Sequence, residues 1–169
     1  METSKPVVFL RGHVIDLRPL DRKTDLERIV RWVNDPEVSK FILAYTPWSL
    51  GHENNWFDSY DKREDPPKNI VLGIVVRATG DHIGNIGIHD ISWKDRTART
   101  GTLIGEKSEW GRGYGTDAKM TILQYAFGTL NVRKVSSSVI AYNERSLRCQ
   151  ERCGYKIEGR RKEHLFRDG

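Results

Sequence analysis

Three glycines at alternate positions, Gly111, Gly113 and Gly115, sit within the run TLIGEKSEWGRGYGTDAK at residues 102–119. Arg112 and Tyr114 stand between them and Thr116 follows. The run passes from a strand-like segment through a short loop into a helix-forming one. Helix starts leave backbone N–H groups unpaired and carry a partial positive charge. Glycines let such a backbone curl closely around a phosphate, and Arg112 adds a cation. The chemistry on offer is therefore anion binding. The plain alternative is a glycine-rich turn ahead of a core helix.

The phosphate motifs can be told apart by their other residues. A P-loop closes on a lysine followed by Ser or Thr, and no such pair closes this loop. A dinucleotide fingerprint needs a third glycine where Thr116 stands and an acid about 20 residues on, at a strand end. The strand-like run at 131–140 offers none. Cys149 and Cys153 lie one helical turn apart, but a structural zinc site wants four ligands and no second pair exists. They read as two reduced thiols. No Ser–His–Asp or Cys–His pattern suggests a protein nucleophile.

The elements that position this loop follow from periodicity. Residues 7–18 alternate as a first strand bent at Gly12. Leu26, Ile29, Val30 and Val33 give residues 22–34 one apolar helical face, and Asn34-Asp35-Pro36 ends that helix. A short helix through Phe41 follows, and Ser49 caps another that runs to about Tyr60. Strands are expected at 69–78, 81–92 and 98–106, the first two joined by a turn at Thr79-Gly80-Asp81. A helix then spans 111–130, a strand 131–142, a helix ending at Gly154, and a last strand 155–166. A strand–helix–strand unit near 98–140 implies one parallel pair in an otherwise antiparallel sheet. The fold class is mixed α/β, as one domain.

The chain has 169 residues, enough to bury a core, with 37% hydrophobic and 30% charged residues. No run reaches the roughly 18 apolar residues of a membrane span, and the N-terminus lacks a signal-peptide pattern. A cytoplasmic protein without membrane partners is expected. The net charge is +5. Bases and acids are interspersed, as in DRKTDLER, and no basic arm appears, which argues against a nucleic-acid surface. Asp168-Gly169 announces a hairpin whose returning strand is absent. A chain cut there is favoured over an edge covered by another chain, as in a homodimer.

Three pieces occur in order: IGNIGI at 83–88, LIGEKSEWGRGYGTDA at 103–118 and NERSLRCQERCGYKIEG at 143–159. From Gly73 onward the chain resembles the GNAT N-acetyltransferase superfamily, particularly the branch that acetylates ribosomal-protein N-termini and small amines. The resemblance implies a twisted, mostly antiparallel sheet whose splayed parallel strand pair binds acetyl-CoA as co-substrate. It implies diphosphate contacts from the backbone of Gly111, Arg112, Gly113, Tyr114, Gly115 and Thr116. Pantetheine would run beside Leu103, Ile104 and Gly105, whose amides would also serve the thioester oxygen. Asn143 would hold its far end, and Ser146 would border the sulfur. Residues 1–65 would form the variable acceptor half and 66–169 the acetyl-CoA half.

Departures from the family pattern matter as much. Trp110 replaces the residue that usually opens the loop. Gln150 stands where a tyrosine often serves as acid, leaving Ser146 as acid or sulfur-orienting group. Arg99 stands where a glutamate is common, so the base is open among Glu106, His89, Asp90 and Glu163. The acceptor is an amine of a small molecule or a protein N-terminus. The aromatics Trp32, Tyr45, Trp48, Trp56, Phe57 and Tyr60, with Glu53, Asp58 and Asp61, either line its site or fill the core. An acetyltransferase, a non-catalytic acetyl-CoA sensor and a basic nucleic-acid-associated protein are the competing readings, in that order.

Overall fold

The structure is a computed structural model that describes residues 7–62 and 64–167. Six strands form one sheet in the order β1-β2-β3-β4-β5-β6. They are β1 Leu10–Arg11, β2 Ile15–Arg18, β3 Ile70–Val76, β4 His82–Ser92, β5 Thr97–Ile104 and β6 Lys134–Ser136. All neighbouring pairs are antiparallel except β5 and β6, which run parallel. The helices are α1 Arg22–Asn34, α2 Pro36–Ser39, α3 Leu50–Asp61, α4 Tyr114–Gly128 and α5 Glu144–Arg152.

Helix boundaries follow the capping residues. Asp21 accepts from Lys23 N, Asp35 from Glu37 N, Ser49 from His52 N and Asn143 from Ser146 N. Helix α4 is the exception: its N-cap is Gly113, which supplies no side chain. One face of the sheet packs against α4 through Ile15, Ile74, Ile86, Ile88, Ala118 and Ile122. The other face packs under α1 and α3 around Ile29, Trp32, Val33 and Phe57.

Two polar devices tie these layers together. Asp117, in the first turn of α4, accepts the backbone N–H groups of His13, Val14 and Ile15 at 2.9, 2.8 and 3.0 Å. That contact turns the expected bent strand at 7–18 into a hairpin, β1 pairing with β2, and leaves no space for a Cβ at Gly12. On the opposite face, buried Asp25 of α1 takes both arms of the Arg18 guanidinium at 2.7 Å. His82 Nδ1 stands 3.0 Å from the same carboxylate.

Two expectations are corrected. The strand expected over 131–142 forms only at Lys134–Ser136, because β6 parts from β5 after Ser136 and the departing backbone has no ladder partner. No strand forms over the described part of the chain at 155–166. A strand needs a neighbour, and β6 offers only a three-residue edge. The segment is instead held by Tyr155, by Lys134 on Glu158 and by Arg167 on the Ile42 carbonyl. Asp168 and Gly169, with their hairpin signal, lie outside the described residues.

Candidate functional site

The ladder between β5 and β6 ends at Arg99↔Ser136, whereas β5 continues to Ile104 with its other edge on β4. The two parallel strands therefore splay, and β5 beyond Arg99 turns an unpaired edge toward the gap. At the end of β5, two features lock the backbone. Gly105 admits the Trp32 indole, whose atoms would lie 2.0–2.6 Å from a Cβ there. Glu106 then receives Trp32 Nε1 at 3.0 Å and pairs with Arg31.

From Glu106 a 3₁₀ turn leads to Trp110, whose indole N–H bonds the Ile104 carbonyl at 2.7 Å. Arg145 of α5 stacks its guanidinium 3.9 Å from the Trp110 ring centroid. The loop is thus fixed at its entrance by the aromatic that departs from the family pattern.

Gly111 and Gly113 then adopt left-handed φ values of 80° and 87°, open to side-chain-bearing residues only at a cost. Around both positions there is empty space where a Cβ would stand. Backbone bonds resume with Thr116 N and Asp117 N, both to Gly113 O at 3.0 Å. Among the described residues, the amides of 111–115 have no acceptor, so five N–H groups face the start of α4 unsatisfied. Arg112 is exposed and pairs loosely with Glu109 at 3.4 Å. Tyr114 packs into the core, Gly115 touches Ile104, and Thr116 Oγ1 bonds Cys149 Sγ at 3.5 Å. The end of β5 and the start of α4 are thus in contact, Gly115 lying against Ile104, whereas Gly105 is buried against Trp32 and Leu103 packs under α1 and α3.

The gap between the strands is polar at its apex. Ser137 Oγ donates to Thr100 O at 3.0 Å, and Gln150 Nε2 donates to Ser137 Oγ at 3.0 Å. Gln150 Oε1 and Thr102 Oγ1 are buried without partners. Buried polar atoms seldom go unpaired, which makes this apex a candidate place for a ligand. Asn143 spends its carboxamide oxygen on capping α5, and the Ser146 hydroxyl has no hydrogen bond among the described residues.

The four candidate bases separate on geometry. Glu106 is committed to Arg31 and Trp32. Asp90 pairs with Arg99 at 3.1 Å. Glu163 is exposed in the C-terminal segment. His89 differs: its ring lies over Gly87 and Gly101, which face each other across β4 and β5, with Nε2 3.6 Å from where a Gly101 Cβ would stand. No described residue bonds its ring nitrogens. Burial pushes the His89 imidazole below its ordinary pKa, with Arg99 and Lys119 adding to the drop against Asp90. The neutral form therefore prevails at pH 7. His89 also lines a cleft of about 460 Å³ with Trp56, Tyr60, Ile70 and Val71.

Of the acceptor-half aromatics, Trp32 and Phe57 are core residues and Tyr45 is exposed. Trp56 and Tyr60 stack at 5.4 Å along the cleft. Asp58 and Asp61 both pair with Arg22. Glu53 is buried, has no partner among the described residues, and has its pKa raised by that burial.

Lys119 was missing from the sequence-based site. It is fully buried and donates to Thr100 Oγ1 at 3.0 Å. Its signal was available: it falls in the apolar stripe of α4 with Ala118, Ile122 and Ala126. No cluster of metal-binding side chains occurs among the described residues, and no helix among them is long and apolar enough to cross a membrane.

A splayed parallel pair leads to a helix N-terminus whose amides are unpaired among the described residues, in a mixed α/β fold. Residues 15–156 match the family model for the acetyltransferase (GNAT) domain, and the chain belongs to the GNAT acetyltransferase family. It is 31% identical over 159 residues to "Putative ribosomal N-acetyltransferase YdaF" of Bacillus subtilis (strain 168), covering 92% of this chain and 85% of that protein. It is 26% identical over 158 residues to spermidine N(1)-acetyltransferase of Escherichia coli (strain K12), covering 94% and 81%. Among solved structures, spermidine N-acetyltransferase of Vibrio cholerae in complex with CoA and spermine superimposes with a TM-score of 0.81. That match has 22% identity and covers 92% of this chain and 88% of that one. Acetyl-CoA is the usual co-substrate of such enzymes, and the free amides and partnerless polar atoms fit it.

Proposed function

We propose that this acetyltransferase moves the acetyl group of acetyl-CoA to a primary amine by direct attack, without an acyl-enzyme. The observation that carries the reading is the row of five unpaired amides at 111–115, at a helix start with no side-chain cap. When bound, acetyl-CoA supplies an acetyl thioester. Gly111–Thr116 hold its diphosphate, and its pantetheine arm runs beside β5 at Leu103–Gly105, where the Ile104 carbonyl is already taken by Trp110 Nε1. Asn143 and Ser146 at the start of α5 border the sulfur.

His89 is the base in this reading. It is neutral at pH 7, its ring nitrogens are free, and it links the cleft under α3 to the glycine floor beside β5. Its imidazole takes the amine proton as nitrogen bonds to the acetyl carbon and the sulfur departs. Among the described residues of the acceptor half, most acids are already held by a base. Asp25 is taken by Arg18, Asp35 and Glu37 by Lys107, and Asp58 and Asp61 by Arg22. A polyamine needs several carboxylates, so an acceptor with one cationic centre, such as a peptide α-amine, suits the site better.

The test is acetyl-CoA turnover followed by free-thiol release over a panel of N-terminal peptides, monoamines, amino sugars and polyamines. Acceptor-dependent release with monocationic amines, faster than with spermidine, is expected. Tight CoA binding with no acceptor-dependent release across the panel would point instead to a non-catalytic sensor.

A further inference from the structure

Lys119, in the second turn of α4, is 0% exposed and forms no ion pair with any described residue. Its ammonium donates to Thr100 Oγ1 at 3.0 Å and lies 5.9 Å from the centroid of the Tyr155 ring. Thr100 Oγ1 is in turn 2.7 Å from the Tyr155 hydroxyl. The titratable groups that face Lys119 are Cys149 and Cys153 of α5, Tyr155 beyond it, and His89 of β4. None is a carboxylate. Burial drags the Lys119 ammonium down to about 8, opposed only by the two thiols. A buried cation without a countercharge is costly, and a protein that keeps one has a use for the charge.

The location suggests the use. Thr100 is the first β5 residue past the last rung shared with β6. Its carbonyl receives Ser137 Oγ, Ser137 Oγ receives Gln150 Nε2, and Gln150 Oε1 is left unpaired. Lys119 thus stands directly behind the apex of the splay: it holds the Thr100 hydroxyl, while the Thr100 carbonyl takes the Ser137–Gln150 chain.

On the reading that acetyl-CoA lies between β5 and β6, we propose that Lys119 is a positioning residue whose buried charge, held by the Thr100 hydroxyl behind the apex of the gap, stabilises the sulfur leaving the thioester. The carbon–sulfur bond breaks with its electron pair on sulfur, the amine proton goes to His89, and Lys119 keeps its own protons. The product thiol therefore ionises more readily in the site than in water.

The experiment titrates the thiol of bound CoA by its ultraviolet thiolate absorbance in the wild type, Lys119→Met and Thr100→Val. In the wild type the bound thiol should ionise about one pKa unit or more below free CoA. Lys119→Met should return it to the free value, and Thr100→Val should fall between. With acetyl-CoA, Lys119→Met should lower kcat at least roughly tenfold while KM for acetyl-CoA stays within about threefold. S-methyl-CoA, which keeps the diphosphate and lacks an ionisable sulfur, should bind the wild type and Lys119→Met alike. Weaker S-methyl-CoA binding in the variant would assign Lys119 to the diphosphate and overturn the proposal. Identical thiol titration in the wild type and Lys119→Met would also overturn it. If Lys119→Met fails to fold, Thr100→Val, which retains the lysine, decides by the same titration. Failure of CoA to bind the wild type at all would instead refute the cofactor reading beneath it.

Discussion

Gly113 allows conformational strain and charge to be separated at a single position. Its φ of 87° imposes about 1–2 kcal/mol on any L-residue, so Gly113→Ala and Gly113→Asp share that cost to folding. Neither side chain meets a neighbour at the Cβ, because nothing lies within 4 Å. Their difference is therefore electrostatic. At the start of α4 an aspartate favours the helix dipole by about 0.3–1 kcal/mol, so Gly113→Asp should melt no lower than Gly113→Ala. Toward a diphosphate the order reverses. A carboxylate about 6 Å from two negative charges costs roughly 1.5 kcal/mol in water-like surroundings and about four times that at a protein surface, before salt screening. A loss of about 1.5–3 kcal/mol corresponds to CoA affinity roughly 10- to 150-fold weaker for Asp than for Ala. Thermal melts and calorimetric CoA titrations of both variants measure the two orders. Equal CoA affinity in Ala and Asp variants would refute the diphosphate assignment, whatever their stabilities.

Further outcomes test other parts of the account. His89→Gln should reduce kcat/KM by about 10²–10⁴-fold and remove an acidic limb that lies below the ordinary histidine range, since burial lowers the His89 pKa; an unchanged pH–rate profile would exclude it as base. Burial alone would raise the Asp25 pKa, but hydrogen bonds from Arg18, His82 and Asp21 N–H hold the carboxyl well below the usual range. Its folded pKa is depressed, so its stabilisation is present above about pH 4 and is lost as pH falls further. Arg18→Met should cost about 3–5 kcal/mol at pH 7 by stranding the charge, and denaturant melts should show that gap shrinking in acid. Glu53 is the reverse case: burial raises its folded pKa, so its ionised form penalises folding as pH rises above about 4.5. Glu53→Met should therefore raise the melting temperature at pH 7, by a margin that narrows toward pH 4; equal melts at both pH values would count against an unpaired buried carboxyl.

The cradle could be read from sequence because it depends on local chemistry. Gly111 and Gly113 take φ values that favour glycine, and their spacing ahead of an apolar helical stripe announced both loop and helix. The hairpin at 10–18 could not be read, because its turn is made by Asp117, about a hundred residues away. Strand patterns at 131–142 and 155–166 report which side chains tolerate a sheet, not whether a neighbouring edge exists, and here β6 offers only three residues. The four candidate bases could not be ranked from sequence, because the setting of the proposed one, His89, rests on register. Only when Gly87 faces Gly101 does the His89 ring gain its floor beside β5. Lys119 was visible as a charge in an apolar stripe, but its purpose depends on Thr100 being the residue where β5 loses its partner.

The most direct measurement follows backbone amide resonances of the ¹⁵N-labelled protein during titration with CoA. A diphosphate seated on open N–H groups should produce the largest shifts at Gly111, Arg112, Gly113, Tyr114 and Gly115, with smaller ones along Leu103–Gly105. Saturation of binding with those amides unmoved, and the shifts clustered elsewhere, would contradict the account.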